Sequence, residues 1–186
     1  MDKHSILSVT GAHSGIGKST LCSILLKEFN GFGAIKFTKT GLYTSVVDSA
    51  AILDKEGKDT SIMMNAGAEN VVWVRSPVED LNDALGIALR KLNGTRGVVI
   101  EGNSPVDFLN PHLVIFIIGE DGEIKPTAMK VSSKADIVVI NSINPDMKKP
   151  SPVPAYRKDR KFFWINLKEK KGEIREFLTY VRIKLD

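Results

Sequence analysis

The sequence predicts an α/β fold in which a mostly parallel sheet is flanked by helices, and three observations lead to it. Short apolar runs alternate along the chain with longer segments of helical periodicity. The apolar runs at 97–100, 113–118 and 137–140 lack the polar alternation of a half-solvated sheet, which is typical of strands buried on both sides. The chain has 186 residues, of which 42% are hydrophobic, enough for one full core. We therefore expect residues 1–186 to form a single domain.

The other elements follow from local signals. Further strands are predicted at 5–10, 33–37, 71–74 and 162–165, and helices at 19–29, 59–66, 77–92 and 171–184. For the third helix, Ser76 has the character of an N-cap and Pro77 that of a first helical residue. The four prolines between 145 and 154 predict a loop.

Composition and charge exclude several classes of protein. The single cysteine, Cys22, cannot form an internal disulfide, and the first residues lack the pattern of a secretory signal, so we expect a cytoplasmic protein. The longest apolar run has six residues, against about 20 in a membrane-spanning helix, so no membrane partner is expected. The residues from 146 onward carry 12 Lys and Arg against 6 Asp and Glu, but aromatic residues are not interleaved with them, which argues against nucleic acid.

The strongest functional signal lies at 11–20, between a predicted strand and a predicted helix. The glycines let backbone N–H groups turn towards an anion, and the helix N-terminus adds its positive dipole end. Lys18 is expected to reach the β- and γ-phosphates of a nucleotide, and the Ser19 hydroxyl to coordinate Mg²⁺. The segment is a P-loop, with Ala12 where glycine is more usual. The predicted nucleotide-binding residues in it are His13, Ser14, Gly15, Ile16, Gly17, Lys18, Ser19 and Thr20.

A second cation-handling element is predicted at the end of the strand 97–100. Glu101 follows four apolar residues and precedes Gly102, at the strand end where α/β sheets bind ligands. We expect Glu101 to hold Mg²⁺ or to orient an attacking nucleophile. The alternative is a solvated acid at a strand end.

Three further polar residues are candidates because of their positions near strand ends. Lys36 and Lys39 follow the second predicted strand and are candidates for contact with a phosphate or an acidic substrate, although surface lysines are usually solvated. Asn141 resembles the base-reading asparagine of related P-loop proteins, and a local capping role is the alternative. Guanine-specific relatives usually have Lys and Asp where this chain has Ser142 and Asn144.

The motifs together resemble the MobB family of P-loop proteins, the nucleotide-binding adapters of molybdopterin-guanine dinucleotide biosynthesis. The resemblance rests on the P-loop, the strand 33–36, the segments 54–60 and 66–69, and the strand end at 101–102. It implies a P-loop NTPase three-layer architecture, binding of GTP or ATP with Mg²⁺, weak hydrolysis, a homodimer and a guanylyltransferase partner. It also implies that Asp59 lines the functional face, whereas the local sequence favours Asp59 as a helix N-cap. After Lys36 the family usually has histidines and an aspartate, which are absent from residues 37–41 here.

The residues leave more than one function open. The first is a nucleotide-dependent adapter with slow hydrolysis, coupled to a partner through nearby loops. The second is an ATP-dependent small-molecule kinase or ligase, in which Lys36 and Lys39 hold an acidic metabolite. The third is a binding module without turnover. The catalytic set expected for the first two is Lys18, Glu101 and Lys36, with Ser19 and Glu101 at the metal.

Overall fold

Nine strands form one sheet in the computed structural model, which describes residues 5–49, 53, 58–146 and 159–186. The strands are β1 (Ser5–Gly11), β2 (Phe32–Lys39), β3 (Ser45–Val47), β4 (Val71–Ser76), β5 (Gly97–Glu101), β6 (Leu113–Gly119), β7 (Ile137–Asn141), β8 (Lys161–Asn166) and β9 (Lys171–Gly172). Their spatial order is β3-β4-β2-β5-β1-β6-β7-β8-β9. The seven inner strands are parallel and the two edge strands, β3 and β9, are antiparallel.

Five helices in the described residues cover both faces of the sheet. They are α1 (Lys18–Glu28), α2 (Lys58–Asn65), α3 (Leu81–Lys91), α4 (Pro126–Lys134) and α5 (Ile174–Leu185). Apolar side chains of α1, α2 and α5 pack on one face, and those of α3 and α4 pack on the other. The predicted α/β architecture, with three layers, is therefore confirmed.

The inner strands are apolar because helices cover both of their faces. Every residue of β5 and β7 is buried except Asn141, and six of the seven residues of β6 are buried. β1 lies at the centre, between β5 and β6, so its carboxyl end is surrounded by the carboxyl ends of its neighbours. In parallel sheets this edge is where ligands bind.

The structure corrects the start of the third predicted helix. Ser76 is the last residue of β4, where it pairs with Lys39 of β2, and its carbonyl oxygen accepts a hydrogen bond from Thr40 N. The helix begins only at Leu81, after Asp80 in the N-cap position. Sheet pairing through Ser76 overrides the local capping signal, because a strand in register gains hydrogen bonds that the cap would forfeit.

The sequence did not predict three short elements, the strands β3 and β9 and the helix α4. β3 and β9 have three and two residues, too few for a recognisable pattern. β9 also occupies the start of the last predicted helix, which begins at Ile174 instead of residue 171. Helix α4 does carry a start signal, Pro126 at its first turn, but only Ala128, Val131 and Ser132 of its nine residues are buried.

Most of the predicted proline loop lies outside the described residues, as do positions 54–57 of the MobB-like segment. Within the described residues, no helix is both long enough and apolar enough to span a bilayer.

Strands β1, β2 and β5 approach closely at Gly97, the first residue of β5, and a substitution there tests this packing. A Cβ atom there would lie 2.4 Å from the Phe32 ring and 2.7 Å from the Ser5 carbonyl oxygen. Because that oxygen belongs to the central strand, we expect Gly97→Ala to lower the free energy of unfolding by about 1–3 kcal/mol. Gly86→Ala, within α3, is the control, because a Cβ atom there would meet only an Arg90 side-chain nitrogen, at an ordinary contact distance of 3.7 Å. It should raise stability by about 0.5–1 kcal/mol in urea unfolding.

Candidate functional site

The P-loop between β1 and α1 has the backbone conformation that its glycines predict. Gly15 and Gly17 have φ of +77° and +110°, in the left-handed region that favours glycine. The carbonyl oxygen of Gly17 accepts the hydrogen bond from Leu21 N, 2.9 Å away, that starts α1. A side chain at Gly17 would also meet Leu167 Cδ1 at 2.8 Å. The loop therefore presents the N-terminus of α1 at the carboxyl edge of the sheet.

Asn103 fixes the beginning of the loop. Its Oδ1 accepts a hydrogen bond from Gly11 N, and its Nδ2 donates one to Gly11 O, each at 3.0 Å. Because Asn103 follows Glu101 by two residues, these bonds tie the end of β1 to the end of β5. The sequence analysis missed Asn103. The one signal available was its position directly after a predicted ligand-binding strand end.

Asn141 holds the other end of the loop. Its Nδ2 donates to Ile16 O at 3.1 Å, and its Oδ1 accepts from Leu167 N at 3.2 Å. These are the local hydrogen bonds named as the alternative to base reading. The side chain keeps one N–H and one acceptor lone pair beyond these two bonds, so a contact with a base is chemically compatible with them.

Four of the side chains meet in one cluster, which we call the acid–lysine cluster: Ser19, Lys36, Asp59 and Glu101. Lys36 and Glu101 are partners in the register of β2 and β5, and Lys36 Nζ lies 2.5 Å from Glu101 Oε1. The same ammonium lies 2.7 Å from Asp59 Oδ2. Ser19 Oγ donates to Asp59 Oδ1 at 2.8 Å. The cluster thus joins the P-loop helix, two strands and α2.

Asp59 is the member whose role the local sequence signals did not show. It lies in the first turn of α2, as a capping residue would, but its carboxylate binds Ser19 and Lys36. Its partners are 40 and 23 positions away in the chain, so only tertiary structure reveals them.

Charge pairing sets the pKa values of the cluster. Burial lowers the pKa of Lys36, but attraction to Glu101 and hydrogen bonds to Asp59 and Glu101 outweigh it, so the pKa lies above its usual value. Burial raises the pKa of Asp59, but the hydrogen bond and charge of Lys36 and the hydrogen bond of Ser19 bring it below its usual value. Burial lowers the pKa of Lys18, and attraction to Glu101 opposes this only in part. An anion beside Lys18 would relieve that cost.

The oxygen atoms of the cluster fit a divalent cation. Mg²⁺ is commonly held by one or two carboxylates together with substrate phosphates, and Ser19, Asp59 and Glu101 offer hard oxygen donors. Glu101 is 1% exposed, and its Oε2 has no hydrogen-bond partner among the described residues. A buried carboxylate oxygen without a partner is costly unless a ligand completes it. The described residues include no group of three or more His, Cys, Asp or Glu suited to a metal.

The remaining predicted residues lie along the P-loop and its rim. Lys18 Nζ donates to the carbonyl oxygen of His13 at 3.1 Å, and His13 Nδ1 lies 2.8 Å from Ser14 O. An open cavity of about 440 Å³ adjoins the loop. His13, Ser14, Glu123, Ile124 and Lys125 line it. Thr20 is half-buried on α1, Ile16 is buried, and Lys39 is exposed at the end of β2.

Solved structures share this architecture at low sequence identity. HypB from Helicobacter pylori, solved in complex with nickel, matches with a TM-score of 0.59 and 16% identity over 98% of this chain and 87% of HypB. LpxK from Aquifex aeolicus, solved in complex with ATP, matches with a TM-score of 0.53 and 19% identity over 87% of this chain, but only 53% of LpxK. A plasmid partition protein from Borrelia burgdorferi matches with a TM-score of 0.52 and 16% identity, over 98% and 99% of the two chains.

These matches and the loop between β1 and α1 decide the fold. The chain has the P-loop NTPase fold. Identities of 16–19% show the fold alone. No protein-family model matches the sequence, and no curated protein matches it. Within the P-loop NTPase fold, the acid–lysine cluster lies on the β5 and β2 side of the loop, and Asn141 lies on the β7 side.

Asn103→Ala tests the anchor at the start of the P-loop. Removal of the amide leaves both backbone groups of Gly11 without these partners, so we expect a loss of about 1–3 kcal/mol in the free energy of unfolding. Asn93→Ala, at an exposed turn, is the control and should leave the free energy of unfolding unchanged. Equal stability of the two variants in urea unfolding would show that the Asn103 bonds do not fix the loop.

Proposed function

We propose that the protein binds a nucleoside triphosphate, GTP or ATP, together with Mg²⁺, and hydrolyses it slowly. One observation carries the proposal: the acid–lysine cluster lies at the N-terminus of the P-loop helix, joined to it through Ser19. A loop alone provides an anion site, but a loop beside two carboxylates, one with a buried open acceptor, provides a site for phosphates and a metal.

Each residue has a distinct role in this proposal. The loop amides and Lys18 bind the phosphates, and Ser19, Asp59 and Glu101 hold Mg²⁺ directly or through water. The metal would neutralise charge on the phosphate oxygens during phosphoryl transfer. Lys36 Nζ, 2.5 Å from Glu101 Oε1, competes with the metal for this carboxylate, which is consistent with slow turnover.

The MobB resemblance supports a finer proposal, an adapter in molybdenum cofactor biosynthesis. In that role the protein would act as a homodimer and assist a guanylyltransferase partner. Slow hydrolysis suits an adapter, because nucleotide binding itself then sets the state that a partner recognises.

A kinase or ligase acting on an acidic metabolite is the second candidate. The cavity of about 440 Å³ beside His13 and Ser14 favours it, because an acceptor there would lie against the P-loop. Lys125 lines the same cavity and offers a positive charge to an acidic group.

Calorimetric titration with MgATP and MgGTP tests the proposal. We expect one of them to bind, and Lys18→Ala to weaken that binding by at least about 100-fold, because a charge-assisted contact to phosphate is lost in a desolvated site. Lys27→Ala, on the exposed side of the same helix, is the matched control and should bind normally. GTP preference favours the adapter, and ATP preference favours the kinase or ligase. Binding that survives in Lys18→Ala would contradict the placement of the phosphates.

Glu101→Gln separates chemistry from binding. The amide is nearly isosteric but carries no charge, so we expect hydrolysis to fall by about 10²-fold while nucleotide affinity stays within a fewfold of the wild type. Glu28→Gln, at the opposite edge of the sheet where Glu28 pairs with Arg182, is the control. Phosphate release in single-turnover assays is the measurement. Unchanged turnover in Glu101→Gln would remove this residue from the mechanism.

A further inference from the structure

A single ammonium group sits where the oxygen atoms proposed for the metal converge. Lys36 Nζ contacts Glu101 Oε1 at 2.5 Å and Asp59 Oδ2 at 2.7 Å, and Ser19 Oγ bonds the other oxygen of Asp59. The two carboxylates come from a strand and a helix, and the ammonium is the contact that they share. A cation of different chemistry would meet the same donors.

The lysine satisfies these donors only in part. The two carboxylates share direct contact with one ammonium, while Lys18 acts on them only through longer-range attraction, and Glu101, at 1% exposure, keeps Oε2 without a partner among the described residues. This pair of acids, of which Glu101 is buried and Asp59 partly exposed, gains from further positive charge, which a divalent ion in place of the ammonium would supply. A metal ion held by these two carboxylates would lie close to the ammonium, and the two positive charges would repel each other. Binding of one therefore favours movement of the other.

We propose that Lys36 holds the place of the divalent cation and makes metal binding depend on nucleotide. Without nucleotide, the ammonium competes with the metal for Asp59 and Glu101, and the metal binds weakly. With nucleotide, the phosphates beside Ser19 offer the ammonium a new anionic partner. The metal then takes the carboxylates, and Lys36 moves to the phosphates or to an acidic second substrate.

This exchange rests on the proposed function and adds an order of events to it. The long, flexible lysine side chain can change partners without moving β2. Both sides gain positive charge, because the carboxylates exchange a singly charged ammonium for a divalent metal ion while the phosphates gain the ammonium. Lys36 is in this sense a positioning residue, since it sets when the metal site becomes available.

Metal binding without nucleotide is the direct test, with Mn²⁺ as the probe and electron paramagnetic resonance as the readout. We expect Lys36→Met to bind Mn²⁺ at least about tenfold more tightly than the wild type, because the competing charge is gone. In the wild type, the nucleotide that binds should increase Mn²⁺ affinity strongly. In Lys36→Met that increase should be smaller. Lys36→Arg keeps the charge and should keep metal binding weak.

Lys130→Met is the matched control. Lys130 pairs on the surface with Asp107 at 2.8 Å, and Lys134 pairs with the same acid, so loss of Lys130 removes the same charge from a carboxylate that two lysines contact, but away from the P-loop. Its Mn²⁺ affinity should equal that of the wild type. Thermal unfolding gives a second readout: Mg²⁺ should raise the midpoint of Lys36→Met and leave that of the wild type nearly unchanged.

A folded Lys36→Met protein with wild-type Mn²⁺ affinity would overturn the inference. If that variant does not fold, Lys36→Gln, which keeps a hydrogen-bond donor, is judged by the same affinities. The nucleotide titration of the wild type distinguishes a failure of the exchange from a failure of the proposed function. Nucleotide binding with no change of metal affinity in the Lys36 variants refutes only the exchange. Absence of nucleotide binding by the wild type refutes the proposed function.

Discussion

The buried carboxylate of Glu101 is the constraint on which the site depends. A carboxyl group with 1% exposure requires a partner, and Lys36 supplies it from the neighbouring strand. That pairing needs β2 and β5 side by side in the observed register. It also brings Asp59, and with it α2, to the side of the P-loop. The buried Glu101 carboxylate, which is costly to desolvate, therefore links the order of the strands to the position of α2 and to the chemistry of the site.

Two asparagine side chains, Asn103 and Asn141, hold the P-loop in place by hydrogen bonds. Asn103 ties the start of the loop to the end of β5, and Asn141 ties its end to β7 and to Leu167. Both use amide groups, which donate and accept at once and can therefore bridge two backbone segments. The loop is held from both sides of β1. Such preorganisation matters for a phosphate site, because its N–H groups must point inward before the ligand arrives.

The charged cluster and the amide of Asn141 lie on opposite sides of β1. The carboxylates and Lys36 lie towards β5 and β2, and Asn141 and Leu167 lie towards β7 and β8. In the proposed function, the terminal phosphates of the nucleotide lie towards the first side. The cavity at His13 and Lys125 opens beside the loop, where an acceptor or a partner could reach the phosphates.

The sequence by itself determined what depends on neighbours along the chain. Alternating apolar runs predicted the inner strands, and the spacing of Gly15, Gly17 and Lys18 predicted the P-loop, because backbone geometry and phosphate chemistry act within ten residues. The sequence also selected Lys36 and Glu101 as candidates, from their places at strand ends. Tertiary structure decided that these two form an ion pair and that Asp59 joins them, across separations of 65 and 23 residues. It also ended β4 at Ser76 in place of a helix cap, because sheet hydrogen bonds between distant strands outweigh a local preference.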